Sequence, residues 1–214
     1  EDKVHLARHV LENMIGDGPA LVWDKKKLAS TSTFAIVPAR GSSNAKTRLA
    51  GVLSKTERSD LTLAMLSDVL HSLCRTRSID RIVLVTRDSE LGKLGRAEGA
   101  HVLWERRSRG LNAAVTRGIQ FAKRQGACQV LVVPSDIPLA KPTDLRRIVK
   151  SARADGVLVV PSHDEGGTNA LLLRTPTIMA VSYGRNSFRR HYRMARIRRL
   201  AVRVLRPRSL RLDI

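Results

Sequence analysis

Five short runs of this chain are apolar at every position: residues 34–37, 82–85, 130–133, 157–160 and 170–173. A strand that is apolar throughout is buried on both faces. The runs therefore predict an α/β fold with a mainly parallel sheet and helices on both faces, rather than a sheet with one wet side. Segments of helical spacing fall between them. Ser54 and Glu57 form a capping box ahead of a long helix whose buried stripe is Leu61, Ala64, Met65, Val69 and Leu73. Further helices are predicted over 112–123, 143–154 and 187–197, and a third strand near 101–103. Leu91 and Leu94 sit in a short connector, and two strand-like segments, 201–205 and 210–214, close the chain. No apolar run approaches bilayer length and no secretory apolar region opens the chain, so a cytoplasmic protein is expected. Cys74 and Cys128 have neither CxxC nor metal-ligand spacing and are expected to be buried free thiols.

A parallel sheet binds its ligands beyond the carboxyl ends of the strands, and the polar motifs cluster near strand ends. In FAIVPARGSSNAKTRL, residues 34–49, Pro38 ends the ladder, Gly41 lets a loop approach a ligand closely, and Lys46 and Arg48 bring two cations back toward the fold. That combination suits a nucleoside triphosphate. It is not a Walker A loop, which would need glycine where Arg40 and Ala45 stand. After the run at 130–133 comes PSDIPL, whose Asp136 is placed to hold Mg²⁺ against phosphate oxygens, and Asp213 at the end of SLRLD is a second candidate ligand.

Gly110, Leu111 and Asn112 open a helix after Arg106, Arg107 and Arg109, offering free N–H groups and an amide able to read a base or ribose. HDEGGTN brings the amides of Gly166 and Gly167 and the hydroxyl of Thr168 to a second anion. YGRNSFRRH places Gly184 and Ser187 at a helix start, a pocket for phosphate or carboxylate. Each motif also has a plain reading as a turn, loop or cap.

The net charge of +20 points to polyanionic partners. Eleven arginines fall within residues 185–211, leaving 28 basic and 18 acidic residues once they and Asp213 are set aside. Half of the excess is therefore local. Aromatic residues make up only 3% of the chain, too few for a base-stacking platform, which favours an arginine-rich enzyme with polyanionic substrates over a dedicated nucleic-acid binder.

VPARGSSNAKTRLAGVLSKTER, AMLSDVL, GLNAAV, VPSDIPL, EGGTNALLL and YGRNSFRRH follow one another in the order seen in the guanylyltransferases of coenzyme F-420 biosynthesis. Residues 34–214 resemble the 2-phospho-L-lactate or phosphoenolpyruvate guanylyltransferase family. The resemblance implies a glycosyltransferase-A-like nucleotidyltransferase that uses GTP and Mg²⁺, joins GMP to the phosphate of a small phospho-acid and releases pyrophosphate. By the same resemblance, Lys46 and Arg48 hold the triphosphate, in the loop that Gly41 lets approach it, Asn112 serves the nucleoside, and Asp136 and Asp213 bind the metal. Thr168, Gly184 and Ser187 bind the phospho-acid, and catalysis falls to Lys46, Arg48 and Asp136. Phosphoenolpyruvate, 2-phospho-L-lactate and 3-phosphoglycerate all remain open as acceptors, and a homodimer is among the assemblies allowed.

Three features depart from the family pattern. Family members continue through D-x-D-T-P, whereas Ile214 follows Asp213 here, so a C-terminally truncated domain with one metal-binding aspartate missing is expected. Residues 1–33 read as an extension, in which Val4, Ala7, Val10, Leu11 and Met14 suggest a short amphipathic helix broken at Gly16, before linker-like DKKKLASTST. The basic tail is the third. Two alternatives stay open: another nucleotidyltransferase, such as a molybdenum-cofactor guanylyltransferase or a cytidylyltransferase, and a nucleic-acid-binding protein that uses the tail.

Overall fold

The 34–37 run forms β1 (Thr33–Pro38), buried at all six positions. It is the start of an alternating series in a computed structural model that describes residues 32–41, 46–107, 109–151 and 156–212, with Arg48 described by its backbone alone. The expected helix within residues 1–33, the end of the 143–154 helix and Asp213 lie outside the described residues. After β1 come α1 (Lys55–Cys74), β2 (Arg81–Thr86), α2 (Ser89–Ala97), β3 (His101–Trp104), α3 (Leu111–Arg124), β4 (Gln129–Val132) and α4 (Pro142–Ser151). Then follow β5 (Gly156–Pro161), β6 (Thr168–Leu173), α5 (Ser187–Ile197) and β7 (Ala201–Val204).

The capping box at α1 is formed as expected: Glu57 N donates to Ser54 Oγ at 3.2 Å and Ser54 N donates to Glu57 Oε2 at 2.7 Å. The segment read as a connector is instead the helix α2. Asp88 caps it, accepting from the N–H groups of Glu90 and Leu91 at 3.0 and 3.1 Å. Nine residues are too few for a helical period to stand out in the sequence.

The strands form one sheet in the order β3-β2-β1-β4-β6-β5-β7. β1 pairs in parallel with β2 and β4, β2 with β3, and β5 with β7, while β6 is antiparallel to both β4 and β5. Only β6 runs against the rest, so the sheet is mostly parallel but mixed. The strand expected at 210–214 is not formed over its described part. Arg208–Leu210 is a 3-10 turn whose Leu210 is fully buried. Asn169 Nδ2 donates to the carbonyls of Leu210 and Arg211 at 2.9 and 3.2 Å, so a side chain takes the bonds that a neighbouring strand would have supplied.

Alternate residues of each strand feed two cores. Ala35, Val37, Leu84 and Leu131 pack under α1, α2 and α4, while Phe34, Ile36, Val83 and Val130 pack against α3 and α5. Helix α3 lies so close to the sheet that a Cβ on Gly118 would stand 2.4 Å from Ile36 Cγ2. Glycine is needed there for approach, not for its φ. Cys74 and Cys128 are free but exposed, correcting the expectation of buried thiols: Cys74 is the last residue of α1 and Cys128 directly precedes β4.

Candidate active site

Reversal of β6 decides what shares an edge of the sheet. Because Val132 pairs with Leu171 in antiparallel register, the start of β6 at Thr168 lies at the carboxyl end of β4. That is also where the loops after β1 and β4 emerge. Sequence reasoning looked for functional residues after strands, and Thr168 joins them by standing before one.

Loop β1–α1 brings Lys46 to this edge in a left-handed conformation, φ 54°, at the entrance to the 3-10 turn Thr47–Leu49 that carries Arg48. A left-handed lysine costs of order 1 kcal/mol or more and persists where the surroundings dictate it. Lys46 Nζ lies 3.0 Å from Asp136 Oδ2. The two residues, 90 positions apart, were singled out separately for triphosphate and metal and stand side by side. Fully buried Ile137 anchors the backbone next to Asp136, whose side chain is 38% exposed and so faces the opening. Gly41 lies between β1 and this loop, where a Cβ would meet Asp88 Oδ2 at 3.1 Å.

Asn112, expected to read the nucleoside, is engaged differently. Its Oδ1 accepts from Tyr183 N at 2.6 Å and its Nδ2 donates to Tyr183 O at 3.2 Å, so the amide pairs with the backbone of one residue as a neighbouring strand would. It braces the start of α3 against the loop that leads into α5. Arg190 Nη2 donates to the same carbonyl at 3.0 Å. Gly184 follows at φ +112°, which a side chain would resist, and Asn186 enters α5 at φ 58°. Neither α3 nor α5 begins with a side-chain cap, which leaves first-turn N–H groups for other partners.

The amides of Gly166 and Gly167 are spent within the turn joining β5 to β6. Gly166 N donates to Asp164 Oδ1 at 2.9 Å and Gly167 N to Ser162 Oγ at 2.7 Å. The bonds from Ser162 and Gly166 hold the Asp164 carboxyl below its usual range. This corrects the reading of the segment as an anion grip: the amides build a hairpin, and of the three groups only the Thr168 hydroxyl is turned toward Ser187 and His191.

Thr168, Ser187 and His191 form a buried polar cluster, 4%, 1% and 0% exposed. Ser187 Oγ lies 3.1 Å from Thr168 Oγ1, Thr168 Oγ1 lies 3.0 Å from His191 Nδ1, and His191 Nε2 accepts from Ser182 N at 2.8 Å. The ring meets Tyr183 edge-on at 5.0 Å, and the buried Tyr183 hydroxyl has no partner among the described residues. His191 is the last residue of YGRNSFRRH. One histidine among arginines gives no sign from sequence that it is the hub.

Burial, with Arg190 beside it, lowers the His191 pKa from 6.5 to about 4. The folded protein thus binds fewer protons at this ring than the unfolded chain does. Stability from this group is complete above pH 6.5 and is lost as pH falls toward 4, by up to about 3 kcal/mol. Urea midpoints across that range should fall more steeply for the protein than for His191→Asn; parallel curves would refute the assignment.

Five arginines of the tail spend donors within the fold: Arg190 on Tyr183, Arg198 on Ile178, Arg203 on Ser151, Arg206 on Glu165 and Arg211 on His163. Part of the basic excess therefore straps the second half of the sheet together. No helix among the described residues is long and apolar enough to cross a membrane.

A family model described as "Guanylyl transferase CofC like" matches residues 33–214. A phosphoenolpyruvate guanylyltransferase from Conexibacter woesei is 39% identical over 185 residues, covering 86% of this chain and 83% of that protein. A 2-phospho-L-lactate guanylyltransferase from Methanothermobacter thermautotrophicus is 36% identical over 182 residues, covering 85% and 79%. Among solved structures, a nucleotidyl transferase from the same genus superposes with a TM-score of 0.61 at 18% identity over 86% of this chain and 91% of that one, a likeness of fold.

Proposed function

The chain belongs to the CofC-like guanylyl transferase family and is a guanylyltransferase, and we propose that it joins GMP from GTP to the phosphate of a small phosphorylated carboxylic acid, with release of pyrophosphate, in coenzyme F-420 biosynthesis. One observation carries this reading: the Lys46–Asp136 pair and the Thr168–Ser187 hydroxyls stand at the same edge of one sheet. A nucleotide and an acid can meet between them.

An acceptor phosphate oxygen attacks the α-phosphorus of GTP. The new P–O bond forms as the bond from that phosphorus to the bridging oxygen breaks, and the electron pair leaves with pyrophosphate. No side-chain nucleophile is needed. Lys46, with Arg48 in the adjoining turn, binds the triphosphate and faces the charge that builds on the departing oxygens. Thr168, Gly184 and Ser187 hold the acid in line for attack.

Mg²⁺, when bound, neutralises phosphate oxygens. Asp136 would hold it, since Asp136 Oδ1 accepts no bond from the described residues. No group of three His, Cys, Asp or Glu side chains capable of holding a metal occurs among the described residues. That fits an ion that takes one or two carboxylates and completes its shell with phosphate and water.

The test is pyrophosphate release from GTP and Mg²⁺ with phosphoenolpyruvate, 2-phospho-L-lactate and 3-phosphoglycerate supplied separately. Release should require one of the acids, and CTP should not replace GTP. Release without any acid, or none with all three, would overturn the reading.

A further inference from the structure

The acceptor hydroxyls are not symmetric, because a third group sets their polarity. His191 Nε2 accepts from the Ser182 backbone N–H at 2.8 Å, so in the neutral ring the proton is on Nδ1. Nδ1–H then donates to Thr168 Oγ1, 3.0 Å away. Thr168 and Ser187 own two hydroxyl protons. One of them joins the two oxygens across 3.1 Å, and the other has no acceptor among the described residues. Whichever hydroxyl carries it, the pair has one proton left to donate and has already received one from His191.

A buried donor with no acceptor calls for an explanation. A ligand that supplies the missing acceptor is the one this position favours: Ser187 opens α5, whose first turn has no side-chain cap and whose N-terminus attracts negative charge. Resting on the guanylyltransferase reading, we propose that His191 is a positioning residue for the acceptor. Its ring locks the Thr168–Ser187 pair as a donor toward an anionic group of the phospho-acid. The opposite tautomer would turn Nδ1 into an acceptor, draw the Thr168 proton inward and leave no outward donor. The wiring thus favours an acceptor, above all an anionic oxygen, over an ammonium group.

Two measurements test this. In the full chain labelled with ¹⁵N, long-range proton–nitrogen correlations should show the Nδ1–H tautomer for His191 near pH 7; an Nε2–H tautomer would overturn the wiring. In kinetics, His191→Leu removes the donor, whereas the amide of His191→Asn can replace Nδ1–H. His191→Leu should raise the acid KM about tenfold or more while the GTP KM stays within about twofold, and His191→Asn should recover most of the loss. Equal defects in both folded variants, or equal rises in the two KM values, would refute a positioning role. If the unaltered protein released no pyrophosphate with any acid, the function reading would fall. The tautomer spectrum would then still decide the wiring.

Discussion

Asp136→Asn is expected to slow pyrophosphate release about a hundredfold or more, the scale on which single electrostatic groups act at reacting centres. The fold should survive. Asn keeps the shape of the side chain, Ile137 still anchors the backbone, and an amide oxygen remains within reach of Lys46, whose side chain is 15% exposed. What changes is charge: Lys46 keeps an oxygen to contact, but the opening loses its carboxylate. The variant should therefore show an unchanged melting curve, a collapsed rate and a raised Mg²⁺ requirement. Near-normal turnover would remove Asp136 from the chemistry.

Lys46→Met is the second large effect, and it is expected to act on binding and rate together. With the ammonium gone, the Asp136 carboxylate faces an incoming triphosphate with like charge and no cation between them. The GTP KM should rise about tenfold or more and turnover should fall by a similar factor, while the acid KM changes little. Because the two side chains touch, their losses should not add: Lys46→Met should cost less in the Asp136→Asn background, where no carboxylate is left to repel the nucleotide. Additive losses, or an unchanged GTP KM, would show that Lys46 serves the loop and not the nucleotide.

Much of this arrangement is legible in the chain. Doubly buried strands reveal themselves as unbroken apolar runs, and the Ser54 capping box, the α3 segment and the order of the loops follow from residue types alone. Strand direction is different. A strand buried on both faces has the same composition whichever way it runs, so nothing in Thr168–Leu173 betrays its reversal. Partners of polar side chains are equally hidden. Asn112 looks like a ligand reader and bonds to the backbone of Tyr183, the glycine amides of the hairpin look available and are spent, and His191 looks incidental and contacts Thr168. Such roles depend on residues that are 71, 5 and 23 positions away. Local pattern carries no record of them.

The reversed strand also sorts what this enzyme is free to change from what it is not. The strands that deliver Asp136 and Thr168 are neighbours in one ladder, which holds the two chains about 4.7–4.9 Å apart where they pair. A slip of one residue in β6 would turn Thr168 away from the opening and push Leu172 out of its core. No such ladder governs residues 174–181, which leave β6 ahead of the Ser182 and Tyr183 contacts. Insertions and substitutions there can reshape the pocket around a different acid while the reacting groups keep their distance. Divergence in substrate can thus accumulate along one loop, with the ladder beside it holding the chemistry constant.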